Sequence, residues 1–313
     1  MAEEEHSIIR RLVFRLVKKH VAGTTTASAI KTAVQLSAKG MHPTITFLSD
    51  HVGTQLNARY NINAYAQLAR QLSRLNISAD LSVRLSQLGY MIDGPGALSG
   101  IDEILASMGK ENKLWIESEA GIPASAPMRI CESHAGAGIG FEMPAAMLLN
   151  GSSAKYMGMK GRYIKLTTYP PAAADAQQPK AVGPEPARPG RGAGHKRHHG
   201  DMLGVFADLI ERFAANNTSV TVFSQDEKFI ARLLKAAKAH RKNLAFEVPL
   251  GYNAKRVNLL LKSKANVGVY VSYGKDWIPY AINRLTEGRI RDIAMALLDG
   301  EHKRVANAEQ QGR

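Results

Sequence analysis

Residues 244–271, LAFEVPLGYNAKRVNLLLKSKANVGVYV, hold two short runs of β-branched, aromatic and aliphatic residues, Leu244–Val248 and Val267–Val271, separated by a longer segment that opens on Gly and Asn. Run, helical or loop segment, run is the rhythm of a βα unit feeding a parallel sheet. Working outward, the rhythm repeats back to Gly23, with strands expected at Thr44–Leu48, Ala79–Leu85, Lys113–Ser118, Ile139–Ala145, Tyr163–Thr168 and Ser219–Phe223. That makes eight. The fourth is the weakest of these strands, because it carries Pro144, which cannot donate to a ladder, and its alternative is a loop leading into a helix. Eight alternating units favour a single closed (βα)8 barrel of the α/β class over an open doubly wound sheet. A barrel collects its functional residues at the carboxyl ends of its strands.

The chain of 313 residues, 45% hydrophobic, is long enough to bury one large core. The expected division is an amphipathic N-terminal helix over 1–22, a first barrel part with strands one to five over 23–169, and an insertion over 170–200. A second barrel part with strands six to eight and a long final helix from Trp277 follows over 201–300, then a tail over 301–313. The insertion is rich in Pro, Ala and Gly and has almost no bulky apolar residue, so it lacks the surface to fold and is expected to be disordered, with a helix starting near Asp201. Its end, His195–His199, reads as a solvated basic linker and not as a metal site, since no carboxylate or cysteine fixes a geometry.

Cys131 is the only cysteine, which excludes an intrachain disulfide and a cysteine-based zinc site. The acidic start MAEEEHS is unlike a signal peptide, and no run of about 18 apolar residues is present, so a cytoplasmic protein is expected; the basic amphipathic opening helix is expected to dock on the barrel, with peripheral contact at the inner face of the membrane as the alternative. The net charge of +14 would attract nucleic acid, anionic lipid or an acidic partner, and by itself names none of them; an acidic partner for the basic insertion is one such reading. The basic patches lack interleaved aromatics, so no specific nucleic acid is expected. HAGAGIG at 134–140 precedes a strand where a dinucleotide loop would follow one, and it reads as a turn. No Walker loop, zincin helix or nucleophile elbow is present.

The strand ends are rich in polar groups: Asp50, Arg84, Ser86, Glu117, Glu119, Arg162, Lys165, Gln225, Asp226, Glu247, Tyr270 and Tyr273. Near the C-terminus, Tyr280, Arg284 and Glu287 stand at i, i+4 and i+7, so one helix face would present a phenol, a guanidinium and a carboxylate together. Such a face suits a zwitterion, because the guanidinium offers fork-shaped donors to a carboxylate.

Several stretches carry a family resemblance. From Tyr270 onward, Gly274, Trp277, Tyr280, Arg284, Leu285 and Glu287 fall in register with the closing block of proline dehydrogenases. SVRLSQLG at 82–89, IESE at 116–119, RYIK at 162–165 and FRLVKKHVAG at 14–23 resemble further motifs in the family's order. The resemblance runs from about Phe14 to Leu298 outside the insertion. It implies a barrel in which flavin adenine dinucleotide (FAD) accepts hydride from proline, giving pyrroline-5-carboxylate, and a quinone or other carrier reoxidises the flavin. By this resemblance Glu117 and Arg162 are catalytic; Arg84, Tyr270, Tyr280, Arg284 and Glu287 bind the amino-acid substrate; and Arg162, Lys165, Ser224 and Gln225 hold the cofactor. No metal is implied.

The departures cluster at the same places. One of two substrate-clamping arginines is Asn283, a loss of roughly 1.5–3 kcal/mol of charge-assisted bonding. Pro144, Ala145 and Ala146 stand where the family has Gln-Ala-Tyr. Ser224 and Gln225 replace a Thr-His pair, Pro249 replaces a glutamine, and Leu166, Thr167 and Thr168 replace Gly-Ala-Tyr. Two functions follow: a flavoprotein oxidising L-proline or a related secondary amino acid, or a catalytically degenerate barrel serving as a binding or scaffold protein.

Overall fold

The computed structural model describes residues 18–49, 52–145, 162–168, 198–252 and 254–277. Eight strands, β1 (His42–Leu48), β2 (Asp80–Val83), β3 (Leu114–Ile116), β4 (Ile139–Pro144), β5 (Tyr163–Thr167), β6 (Ser219–Phe223), β7 (Leu244–Pro249) and β8 (Asn266–Gly274), form a closed barrel in chain order. Each pair of neighbours is parallel, and β8 returns to β1 in register from His42 opposite Gly268 to Leu48 opposite Gly274. That pairing excludes the open doubly wound sheet. Pro144 is the last residue of β4, opposite Thr167, where a missing N–H interrupts no further ladder.

The strands alternate in phase. One phase, including Ile45, Leu81, Ile116, Phe141, Ile164, Val222, Phe246 and Val269, belongs to the main apolar cluster shared with the helices. The other phase faces the axis. The helices are α1 (Thr26–Ser37), α2 (Gln55–Arg74), α3 (Gly94–Ser107), α4 (Ser125–Ser133), α5 (His198–Ala215), α6 (Glu227–Ala236) and α7 (Ala254–Lys262). Side-chain caps start several of them. Thr25 accepts from Ser28 N, Thr54 from Asn57 N, Asp93 from Gly96 N and Asp226 from Phe229 N, each satisfying an orphan donor of a first turn. Helix α5 is described from His198, three residues before the start expected at Asp201.

A 3-10 turn, Lys18–His20, leads the chain along the carboxyl ends of β7 and β8. His20 Nδ1 lies 3.0 Å from the Leu250 carbonyl oxygen, and Ala22 N donates to Ser272 O. Gly251, at φ +81°, permits this approach, since a Cβ there would lie 2.5 Å from Lys19 O. Of the opening amphipathic helix expected over 1–22, residues 18–22 form this 3-10 turn and an irregular stretch instead; the rest of it, the insertion before His198 and the final helix beyond Trp277 lie outside the described residues.

Candidate active site

In a closed parallel barrel the side chains at the carboxyl ends of the strands converge over the axis. Strand β2 stops at Val83 because the chain turns into a 3-10 turn at Ser86–Leu88, closed by Gly89 at φ +79°. A Cβ on Gly89 would lie 2.7 Å from the Ala58 methyl, so the turn requires glycine in both conformation and space. This turn positions Arg84 and Ser86. Tyr65 of α2 holds it from outside, its one hydroxyl proton shared between Ser82 O at 3.0 Å and Gln87 Oε1 at 3.2 Å.

Just past β3, Glu117 N donates to Val83 O and sets the side chain over the axis. There its carboxylate accepts from Ser82 Oγ at 2.8 Å and from the Tyr270 hydroxyl on β8. Glu119 accepts from Ser86 N at 3.0 Å and Ser86 Oγ at 2.5 Å. Burial pushes its pKa up, partly opposed by the two Ser86 bonds. Burial pulls the Arg84 pKa down, but Glu117 and Glu119 beside it outweigh that and the net direction is upward. The guanidinium is a fixed positive charge facing two carboxylates and a phenol.

Deeper in the barrel, Lys165 of β5 forms an ion pair with Glu247 of β7 at 2.6 Å, both side chains 3% exposed or less. Glu247 also accepts from Thr44 Oγ1 at 2.5 Å. The ammonium lies 4.8, 5.7 and 6.0 Å from the ring centroids of Trp115, Tyr270 and Phe223, an aromatic cage that adds cation–π attraction. Glu142 of β4 faces the same space and accepts from Ser118 N at 3.2 Å. Desolvation first, then the Glu117 charge, push its pKa up to about 7, with Lys165 opposing. Together these groups are an inward-facing array with a proton held near neutrality.

The residues expected from sequence divide into four groups. Arg84, Glu117, Tyr270 and Lys165 are brought together around the axis. Ser224 is buried at the carboxyl end of β6, where its Oγ accepts from Thr168 Oγ1 at 3.0 Å and from Asp226 N at 3.1 Å, and Gln225 follows it in the turn. Arg162 is not brought to the cluster. It precedes β5 at the amino-terminal end, in the phase of Ile164 that faces the helices, and its guanidinium donates to the Cys131 carbonyl at the end of α4. Tyr280, Arg284 and Glu287, with Asp50, lie outside the described residues.

Glu142 was missed. Its signal was a carboxylate between two apolar residues, Phe141 and Met143, in a period-two strand, hidden by the doubt that Pro144 placed on that strand. Asp80 and Trp115, bonded through Trp115 Nε1 at 2.9 Å, were also unrecognised as inward-facing.

No family-level sequence profile matches the chain. The chain is similar to Proline dehydrogenase 1 of Bacillus subtilis subsp. natto, at 23% identity over 285 residues covering 86% of each protein. It is also similar to Proline dehydrogenase 2 of Bacillus subtilis strain 168, at 21% over 288 residues covering 89% of this chain and 88% of that one. Over most of its length the chain is thus similar to proline dehydrogenases. Two solved structures share the barrel: proline utilization A (PutA) from Bdellovibrio bacteriovorus inactivated by N-propargylglycine, with a TM-score of 0.69 at 11% identity over 90% of this chain, and Bradyrhizobium japonicum PutA, with 0.62 at 16% over 88%. The chain spans about a third of the length of these PutA proteins, 33% and 31% respectively. At those identities the likeness to PutA is one of fold, while the Bacillus proline dehydrogenases match across nearly their whole length.

Proposed function

We propose that the barrel is a proline dehydrogenase-type flavoprotein that oxidises L-proline or a related secondary amino acid to pyrroline-5-carboxylate. The observation that carries this reading is the convergence of Arg84, just past β2, Glu117, just past β3, and Tyr270 of β8, together with similarity to a Bacillus enzyme over 86% of each chain. Arg84 is the cation for the substrate carboxylate, and Glu117, steadied by Ser82 and Tyr270, faces the amine. Oxidation removes a hydride from the carbon beside the nitrogen and a proton from the nitrogen, and Glu117 and Glu142 are the carboxyl groups placed to handle that proton.

The mouth suits a flavin. The buried Ser272 Oγ has no hydrogen-bond partner among the described residues, and the Phe223 and Tyr270 rings, 5.4 Å apart, form an apolar wall. Lys165, Ser224 and Gln225 are the residues that would hold it; Ser224 accepts two bonds and keeps its own hydroxyl proton to donate. When bound, FAD would supply the hydride acceptor, with a quinone or other carrier taking the electrons onward. Among the described residues no helix is long and apolar enough to cross a membrane, and the reading keeps the protein in the cytoplasm with peripheral access to a quinone and an acidic partner for the insertion.

A specific observation favours a second reading. Lys165 is already neutralised by Glu247, and Arg162 is turned to Cys131, so two cations expected to face a flavin are engaged elsewhere. That state fits a barrel without flavin that acts as a binding or scaffold protein. The visible absorption spectrum of the purified chain with added FAD, followed by proline, separates the two. Flavin bands that bleach on proline addition support the dehydrogenase; a chain that takes up no FAD overturns it in favour of the binding protein.

A further inference from the structure

Below the Lys165–Glu247 pair the barrel is not filled. In a (βα)8 barrel this level is ordinarily packed with bulky branched side chains. Here the inward positions include Thr44, Thr221, Ala245 and Gly268, and the space they leave is a cavity of about 310 Å³ open at the amino-terminal mouth. That is roughly ten times the volume a water molecule occupies, well beyond the voids of a close-packed interior. It stands at the lower end of the range for small-ligand pockets and is too small for a dinucleotide.

The walls specify a chemistry. Trp115 and Tyr163 supply flat aromatic surfaces, and Lys113 and Lys242 stand at the rim, with Lys113 Nζ 5.0 Å from the Tyr163 ring centroid. Two carboxylates also reach the cavity, but both are engaged. Asp80 accepts from Trp115 Nε1 at 2.9 Å and Lys113 N at 2.8 Å and pairs with His42 at 2.9 Å. Glu247 is held by Lys165 and Thr44. Three lysines against two carboxylates leave one positive charge in excess before His42 is considered, and the charge without a dedicated counterion lies at the rim. An anion such as a monocarboxylate completes the balance; a cation does not.

We propose that the amino-terminal cavity binds a small monocarboxylate with a flat apolar body, its carboxylate between Lys113 and Lys242 and its body against Trp115 and Tyr163. The site is separate from the strand-end cluster and does not depend on the dehydrogenase reading. The two are joined by two side chains: Trp115 and Glu247 both wall the cavity, and both contact the Lys165 ammonium. Occupancy below is therefore felt at Lys165.

Trp115 and Trp277 are the only tryptophans, so a Trp277→Phe variant of the full chain makes Trp115 the reporter. Its emission is titrated with benzoate and, separately, with benzamide, which has the same shape and no charge; calorimetry on the unsubstituted chain checks the affinity. Saturable change with benzoate and none with benzamide is expected. The Lys113→Met/Lys242→Met pair, confined to the rim, should weaken benzoate at least tenfold, and Ala245→Leu, which fills the cavity, should abolish the response. Arg84→Met, at the other mouth, should leave it unchanged. The proposal is overturned if benzoate gives no saturable response up to roughly 10 mM, beyond the millimolar range of weak specific binding. An equal response to benzamide, a response that survives the rim pair or a folded Ala245→Leu chain, or one lost in Arg84→Met overturns it as well. Should Ala245→Leu fail to fold, as judged by thermal unfolding, the rim pair decides alone.

Discussion

Replacing Glu142 by Gln tests the electrostatics of the barrel interior directly. The amide keeps an oxygen for the Ser118 N–H, so the hydrogen bond at 3.2 Å survives while the titrating group is removed. In the folded chain the Glu142 pKa rises from its ordinary 4.5 to about 7, first from desolvation and then from Glu117, whereas in the unfolded chain it is free of both. An acid with a raised folded pKa binds its proton more tightly when folded. Its contribution is therefore neutral below 4.5, and the wild-type chain loses stability as the pH climbs from about 4.5 through 7. The whole rise corresponds to roughly 3 kcal/mol. Urea unfolding of both proteins at pH 5 and pH 8.5 should show the Gln variant gaining about 2–3 kcal/mol on the wild type between the two conditions. Because Glu117 is coupled to it, the midpoint of that change belongs to the pair. A stability difference that is the same at both pH values would refute the reasoning and mean that Glu142 is solvated well enough to ionise normally.

Further outcomes follow from the same geometry. Lys165→Met leaves Glu247 buried without its cation and should cost about 3–5 kcal/mol in urea unfolding, while the Lys165→Met/Glu247→Gln double variant should recover much of it. If the double variant is as unstable as the two losses added, the pair is not coupled. Gly89→Ala meets the Ala58 methyl and a left-handed φ at once, and a loss of about 1–3 kcal/mol is expected from thermal unfolding; an unchanged midpoint would mean that the turn behind Arg84 relaxes freely. Tyr270→Phe removes the bond to Glu117 and, on the proposed function, should lower kcat/KM for proline roughly tenfold or more, about 1.5 kcal/mol. Arg84→Met should act mainly on KM, read from steady-state flavin reduction.

The Pro144 strand and the Arg162–Lys165 motif mark the limits of reading this chain. Strand positions were legible because outward residues such as Ile164, Val222 and Val269 must be apolar to meet the helices, and short apolar runs recur wherever a strand does. Arg84, Glu117 and Tyr270 were legible as polar residues at strand ends. RYIK, however, carries no sign of which residues face the axis. One residue of phase decides that, and phase came only with the pairing of Tyr163 to Ser219 and Gly140, which turns Lys165 inward and Arg162 toward Cys131.

The sequence by itself determined the class of fold and the order of its units, since periodicity and turn residues are local properties. Closure through β1 and β8, the Lys165–Glu247 pair, the raised pKa of Glu142 and the void above the amino-terminal mouth were decided by tertiary structure. Each depends on distances between residues far apart in the chain, and charge, burial and empty volume acquire values only when those distances are set.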